Sequence, residues 1–334
     1  MRTSCRSRAG AITSLVATLV VAASVAGCST SEPEGLVVYQ WGAPCADVAP
    51  TERGLCLVRP DGKDARAILS DVPGRVIDPD WSRDGTKLAF TVVGEDGVGH
   101  LWTAAADGSK AEEAVDTSTR CPAEARFPAW SPDGKQLAFG CFGRDAVPIR
   151  ILVAELATGK VATAWTAAPH EQGWSPRWSP DGRSLAFELE HLSSDGERTT
   201  GTGIAVVRAE GGAARPITPV SMFGSYPDWS PDGDRIVFSS YGIDSFETGG
   251  PGATNLYPVA PDGSGLRQLT RYEAGGDRAG HPTWAPDGTR IVFTHVAGDG
   301  NNGYGTRRVA FIDPDGTNLE IVEGLSATHP RQQP

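Results

Sequence analysis

Two groupings of side chains in this chain have the residue types that acid–base or metal chemistry requires. His281 and His295 bracket a Pro-Asp-Gly turn, and a hairpin across that turn would set them nearly opposite, close enough to share a metal ion or a proton. Glu188, Glu190 and His191 end an apolar run, with His170 and Glu171 leading into the same segment. Carboxylates and imidazoles together can exchange protons or hold a divalent ion. Chance proximity and ordinary surface charge are the simpler account of both, so no cofactor is expected, with calcium or a transition metal as the alternative. Asp299, Asn301 and Asn302 offer oxygens to calcium without the Glu that would complete an EF-hand loop. The surrounding glycines (298–303) fit G-x-G-x-x-G but lie between strand-like segments, where no helix receives a phosphate. The chain has no G-x-S-x-G, H-E-x-x-H or P-loop, so those chemistries lack their motifs.

What would position these groups is set by a repeated phrase. DPDWSRDGTKLAF (78–90), FPAWSPDGKQLAF (127–139), SPRWSPDGRSLAF (175–187), YPDWSPDGDRIVF (226–238) and HPTWAPDGTRIVF (281–293) share Pro, Trp, Asp-Gly and a closing Phe. Their tryptophans, Trp81, Trp130, Trp178, Trp229 and Trp284, are spaced by 49, 48, 51 and 55 residues. A period of about fifty marks a propeller or solenoid. Each phrase reads as a hairpin: Pro-x-Trp extends, Asp-Gly turns by local side-chain bonding and a positive φ, and the apolar triplet returns. A second strand–glycine-turn–strand phrase occurs between the copies, and two hairpins make one four-stranded blade.

The expected fold is therefore all-β, a six-bladed β-propeller of four-stranded antiparallel blades. LVVYQW (36–41) enters as a second strand without its first, while ATHPRQQP (327–334) aligns with AGHPTWAP (279–286). The C-terminal segment should therefore pair with the N-terminal blade and close the ring. The five tryptophans are expected to be wedges between blades, since five copies of one group facing different neighbours make no single chemical site. These W-S-P-D-G hairpins resemble the TolB-like propellers, also called WD-like repeats, over residues 36–334. The resemblance implies the propeller fold, and some members are metal-dependent polysaccharide lyases.

Function must then lie where the copies differ. The residues flanking each motif Pro are Asp78 and Asp80, Phe127 and Ala129, Ser175 and Arg177, Tyr226 and Asp228, His281 and Thr283, and His329 and Arg331. They are expected to ring one channel mouth, with Asp78, Asp80, Arg177, Tyr226, Asp228 and His281 as ligand-binding candidates. Candidate metal ligands are His281, His295, Glu190 and His191. Long connections such as 42–54, 188–203, 240–254 and 295–308 fall on one face and tight turns on the other, which marks the loop-rich face as the binding surface.

Residues 1–27 are expected to be a lipoprotein signal peptide: Arg2, Arg6 and Arg8 precede an uncharged apolar run (11–26) ending in small residues. Val25-Ala26-Gly27-Cys28 resembles a lipobox, so Cys28 would carry the lipid, residues 28–35 would be a tether and 36–334 the propeller. Removing that segment leaves 27 basic and 41 acidic residues, which argues against nucleic acid as a partner. In an oxidising compartment Cys45, Cys56, Cys121 and Cys141 should form disulfides. Pairs Cys45–Cys56 and Cys121–Cys141 are expected because each brings together positions on the loop-rich face. The resulting expectation is an exported protein, held to the membrane by lipid alone and facing the periplasm or cell exterior. It would recognise an envelope protein, peptide or glycan noncovalently. The alternative is a metal-dependent polysaccharide-active enzyme using the His and Glu sets.

Overall fold

A computed structural model describes residues 35–40, 54–121, 124–143, 148–240, 253–273, 275–298, 305–323 and 328–334. Its strands form six separate antiparallel sheets. Blade 1 is built in the order Thr328–Gln332, Val37–Gln40, Leu55–Val58, Arg66–Ile68. The ring therefore closes as the sequence implies, with Val37 opposite Gln332 and Gln40 opposite Thr328. Blades 2 to 6 begin with the inner strands Arg75–Trp81, Glu124–Trp130, Glu171–Trp178, Gly224–Trp229 and Arg278–Trp284. Each inner strand contacts the next, and Thr328–Gln332 contacts both Arg278–Trp284 and Arg75–Trp81. Blade 5 has three regular strands; the N–H groups of Arg267 and Leu269 bond the Pro258 and Leu256 carbonyls where the fourth would run.

The motif Asp-Gly turns have a common construction. Ser82, Ser131, Ser179 and Ser230 donate their hydroxyls to Asp84, Asp133, Asp181 and Asp232, and Gly134 and Gly182 follow at φ 68° and 70°. That conformation costs glycine little because it has no Cβ. The core lies between blades. Ile151, Val153 and Trp165 of blade 3 pack with Trp178, Leu185 and Phe187 of blade 4, and Val38, Leu55 and Leu57 of blade 1 with Trp81, Leu88 and Phe90 of blade 2.

The tryptophans are the expected wedges. Trp81, Trp130, Trp178 and Trp284 are buried and Trp229 is half-buried. The indole N–H groups of Trp81, Trp178 and Trp229 donate to the carbonyls of Arg331, Ala129 and Arg177 on the preceding inner strands. At these three positions apolar burial and a satisfied N–H together suit Trp to the seam.

The inner strands depart from a plain two-residue period. In each of the six the residue before the motif Pro has positive φ: Asp78, Phe127, Ser175, Tyr226, His281 and His329 lie between 50° and 55°. The strand pairing skips there, so that each X-Pro dipeptide bulges opposite one buried ring. That ring is Phe90, Phe139, Phe187, Phe238 or Phe293, and Tyr39 in blade 1. Proline supplies no ladder donor and sits at an edge or bulge, and the bulge re-aims the side chain before it. A left-handed non-glycine residue costs about 1–2 kcal/mol, a strain this ring carries in every blade.

Candidate functional site

The bulges separate the two residues flanking each motif Pro into two tiers, so the expectation of one charged ring around one opening is corrected. Residues after the Pro reach the tight-turn end. There Asp80, Arg177, Asp228 and Arg331 line a recess together with the motif tryptophans and Pro132, Pro180 and Pro231. Arg331 Nη1 is 3.4 Å from Asp228 Oδ1 and its Nε 3.8 Å from Asp80 Oδ1, while Arg177 Nη1 is 3.8 Å from the same Asp80 oxygen. These residues come from blades 1, 2, 4 and 5, so the quartet spans the channel.

Its members are also tied to the scaffold. Asp80 and Asp228 each accept the backbone N–H of a motif tryptophan in the next blade, Trp130 and Trp284, and Arg177 donates to the Pro128 carbonyl at 3.3 Å. Burial brings the Arg177 guanidinium down to about 10, with Arg331 adding to the effect and Asp80 and Asp228 opposing it. Burial also raises the Asp228 carboxyl, against the pull of Arg331 and Arg177. Three of the ligand candidates drawn from the sequence, Asp80, Arg177 and Asp228, are thus partnered with one another and with backbone.

Residues before the Pro form the other tier. Tyr226, His281 and His329, from blades 5, 6 and 1, meet with ring centroids 4.1 Å apart for Tyr226–His281 and 3.7 Å for His281–His329. They line a cavity of about 470 Å³ together with Gln40, Thr254, Arg278, Val296 and Arg307, at the strand ends from which the long connections depart. Burial lowers both imidazoles, His281 well below its ordinary range and His329 to about 3. Neighbouring arginines, Arg307 among them, push in the same direction. At neutral pH these rings are uncharged and offer one donor and one acceptor nitrogen each. Across the channel Phe127, Phe142 and Trp174 form a second aromatic group, with Phe142 stacked on Trp174 at 4.4 Å. Asp78 is buried and bound to Arg126 at 2.9 Å, so this candidate is engaged.

The bulge N–H groups need acceptors, and two come from the second strand of the preceding blade. Gln40 Oε1 accepts the Asp78 N–H and Glu188 Oε1 the Tyr226 N–H, both at 2.9 Å. Each follows the buried ring of its own strand, Tyr39 or Phe187. The Glu188 carboxyl is pushed up to about 7, first by burial, with the Tyr226 N–H opposing.

The metal candidates do not gather. His295 bonds Asp277 Oδ2 at 3.0 Å and stands opposite Ala279, while His281 meets Tyr226 and His329. The bulge at His281 removes the opposition that a regular hairpin would have given. Glu190 accepts from the Trp174 indole at 2.8 Å and His191 stands opposite Glu171. Among the described residues no three His, Cys, Asp or Glu side chains group as metal ligands. Asp299, Asn301 and Asn302 lie outside the described residues. The Cys121–Cys141 disulfide forms, with a Cα–Cα distance of 5.5 Å. Cys45 and Cys28 lie outside the described residues, so the Cys45–Cys56 pair and the lipidation site remain expectations. His329, Arg278 and Arg307 are not among the ligand candidates that the sequence suggests; the His-Pro of the tail is the signal for the first, and no motif marks the two arginines.

A closed ring of six blades, five of them carrying the Trp–Asp-Gly hairpin, with a floor of charge at one end and an aromatic cavity at the other, defines a velcro-closed propeller. Residues 100–322 match the TolB beta propeller domain, and the chain belongs to that family. It is 31% identical over 87 residues to an uncharacterized protein of Agrobacterium fabrum, covering 26% of this chain and 30% of that relative. Among solved structures it is similar to TolB from Acinetobacter baumannii, with TM-score 0.64 and 18% identity over 90% of this chain and 67% of that one. The putative TolB from Agrobacterium tumefaciens gives TM-score 0.61 and 22% identity over 86% and 87% of the two chains. An oligogalacturonate lyase in complex with manganese gives 0.53 and 16% over 80% and 69%. At these identities the structural likeness concerns the fold.

Proposed function

We propose that the protein is exported, anchored by a lipid on Cys28, and uses the loop-rich end of its propeller to recognise a protein, peptide or glycan of the cell envelope. The observation that carries the recognition is the convergence of Tyr226, His281 and His329 on one cavity of about 470 Å³. These are positions where the repeats differ, and each is turned inward at the cost of a left-handed backbone. Such strain persists where surroundings impose it and is concentrated at functional sites. The basic start, the apolar run and Val25-Ala26-Gly27-Cys28 support export and anchoring.

Binding is tested by immobilising the wild type and a Tyr226→Ala/His281→Ala variant and comparing what each retains from envelope extract and from a glycan array. A specific ligand held by the wild type should be lost from the variant; equal retention by both overturns the assignment of the cavity. Anchoring is tested by phase partition in detergent. The wild type should enter the detergent phase and Cys28→Ser the aqueous phase, and wild-type protein recovered in the aqueous phase refutes the anchor. The pairing of His281 with His295 lends no support to the enzyme alternative, since the two rings have different partners.

A further inference from the structure

We propose that the cavity at the loop-rich end binds an organic ligand through a carboxylate held by Arg278 and Arg307; this rests on the reading of that cavity as the recognition site. Arg278 begins the inner strand of blade 6 and stands opposite Val296, which stands opposite Arg307 on the third strand. Directly opposite residues share a sheet face about 4.5–5.5 Å apart, so two guanidinium groups flank Val296 in one row, and all three residues line the cavity. None of the described lining residues is acidic.

That absence is unusual in a chain of formal net charge −11. Other arginines of the same blade have found acids: Arg290 pairs with Glu320 at 3.1 Å and Arg308 with Glu323 at 3.4 Å. Arg278 is half-buried, and its side chain has no hydrogen bond or ion pair among the described residues. A guanidinium held partly out of water without a counter-charge is costly unless an anion arrives, and its planar fork matches a carboxylate. The Nδ1 atoms of His281 and His329 are likewise buried without a partner. They give two more polar positions, which an uncharged imidazole fills as donor or acceptor. The Tyr226 ring and the hydroxyls of Ser239, Thr254 and Thr294 complete the wall. Aromatic faces and hydroxyls fit an organic body behind the charge better than a bare inorganic ion.

The test measures thermal unfolding of the wild-type protein with D-glucuronate, D-glucose, an N-acetylated tripeptide acid, its C-terminal amide and inorganic phosphate, at matched ionic strength. A ligand that binds only the folded state raises the midpoint as its concentration passes its Kd. At least one organic acid should stabilise while its neutral counterpart does not, and whichever does so separates a sugar acid from a chain terminus as the source. Arg278→Gln should weaken that acid by about tenfold or more, with the unliganded midpoint reporting whether the variant is folded. Should Arg278→Gln not fold, Arg278→Lys, which keeps charge and loses the fork, takes its place. No stabilisation by either acid up to 20-fold above about 1 mM overturns the proposal. So does equal stabilisation by the neutral counterparts or by phosphate, or an unchanged response in the variant. If the wild type retains an envelope ligand that the Tyr226→Ala/His281→Ala variant loses, yet no acid stabilises, the carboxylate assignment fails while the cavity's role stands.

Discussion

Replacing Arg331 by alanine should destabilise the propeller by about 3–5 kcal/mol, the usual cost of removing one partner from a buried ion pair. Its guanidinium lies between Asp228 at 3.4 Å and Asp80 at 3.8 Å, and its side chain is 14% exposed. Without it, both carboxylates keep their tryptophan N–H donors and share only Arg177. The energy comes mainly from the uncompensated acids, which predicts the pH dependence. Asp228 is already raised by burial, and losing Arg331 raises it further. The variant therefore takes up a proton on folding over a wider range, and its deficit relative to wild type shrinks as the pH falls and Asp228 protonates. Urea denaturation at pH 5 and pH 8 measures both effects. A midpoint within error of wild type at pH 8 would show that the quartet contributes nothing.

Glu188→Gln should act in the opposite direction. The folded pKa of Glu188 is about 7 against an ordinary value of 4.5, so the folded chain holds a proton that the unfolded chain releases first. Where the folded state binds more protons, stability falls as pH rises. The Glu188 contribution is thus intact below about pH 4.5 and fully lost above about pH 7. At about 1.4 kcal/mol per pH unit, that interval amounts to roughly 3 kcal/mol. Glutamine keeps the Oε1 acceptor for the Tyr226 N–H, as Gln40 does for Asp78, and it does not ionise. The variant should match wild type near pH 4.5 and be the more stable protein at pH 8. Parallel stability–pH curves for the two proteins would sink this account.

Most of the architecture is legible in the sequence because it is repeated. Five copies of a Trp–Asp-Gly–Phe hairpin fix blade number and spacing, and LVVYQW with ATHPRQQP shows where the ring closes. The bulge is not legible in the same way, since period-two alternation assumes that Pro79 or Pro282 merely continues a strand. That one extra residue per blade moves Asp80, Arg177 and Asp228 to the opposite end from Tyr226 and His281, and it separates His281 from His295. The signal is present as a Pro within each inner strand opposite a Phe in five blades and Tyr39 in the sixth. Arg278 and Arg307 cannot be picked out by type among the chain's 30 basic residues. What distinguishes Arg278 is a missing partner, and only three-dimensional neighbours can show that.

The seam in blade 1 also bears on how the chain is made. Thr328 reaches the Gln40 carbonyl across 288 positions, so the strand Val37–Gln40 has no channel-side neighbour until Thr328–Gln332 has been made. Pairings so distant in sequence are slow to form, and until this one does, Val37–Gln40 presents an open edge of the kind that recruits stray strands. A newly made chain is therefore most in need of a chaperone at this sheet until Thr328–Gln332 has been made and has docked.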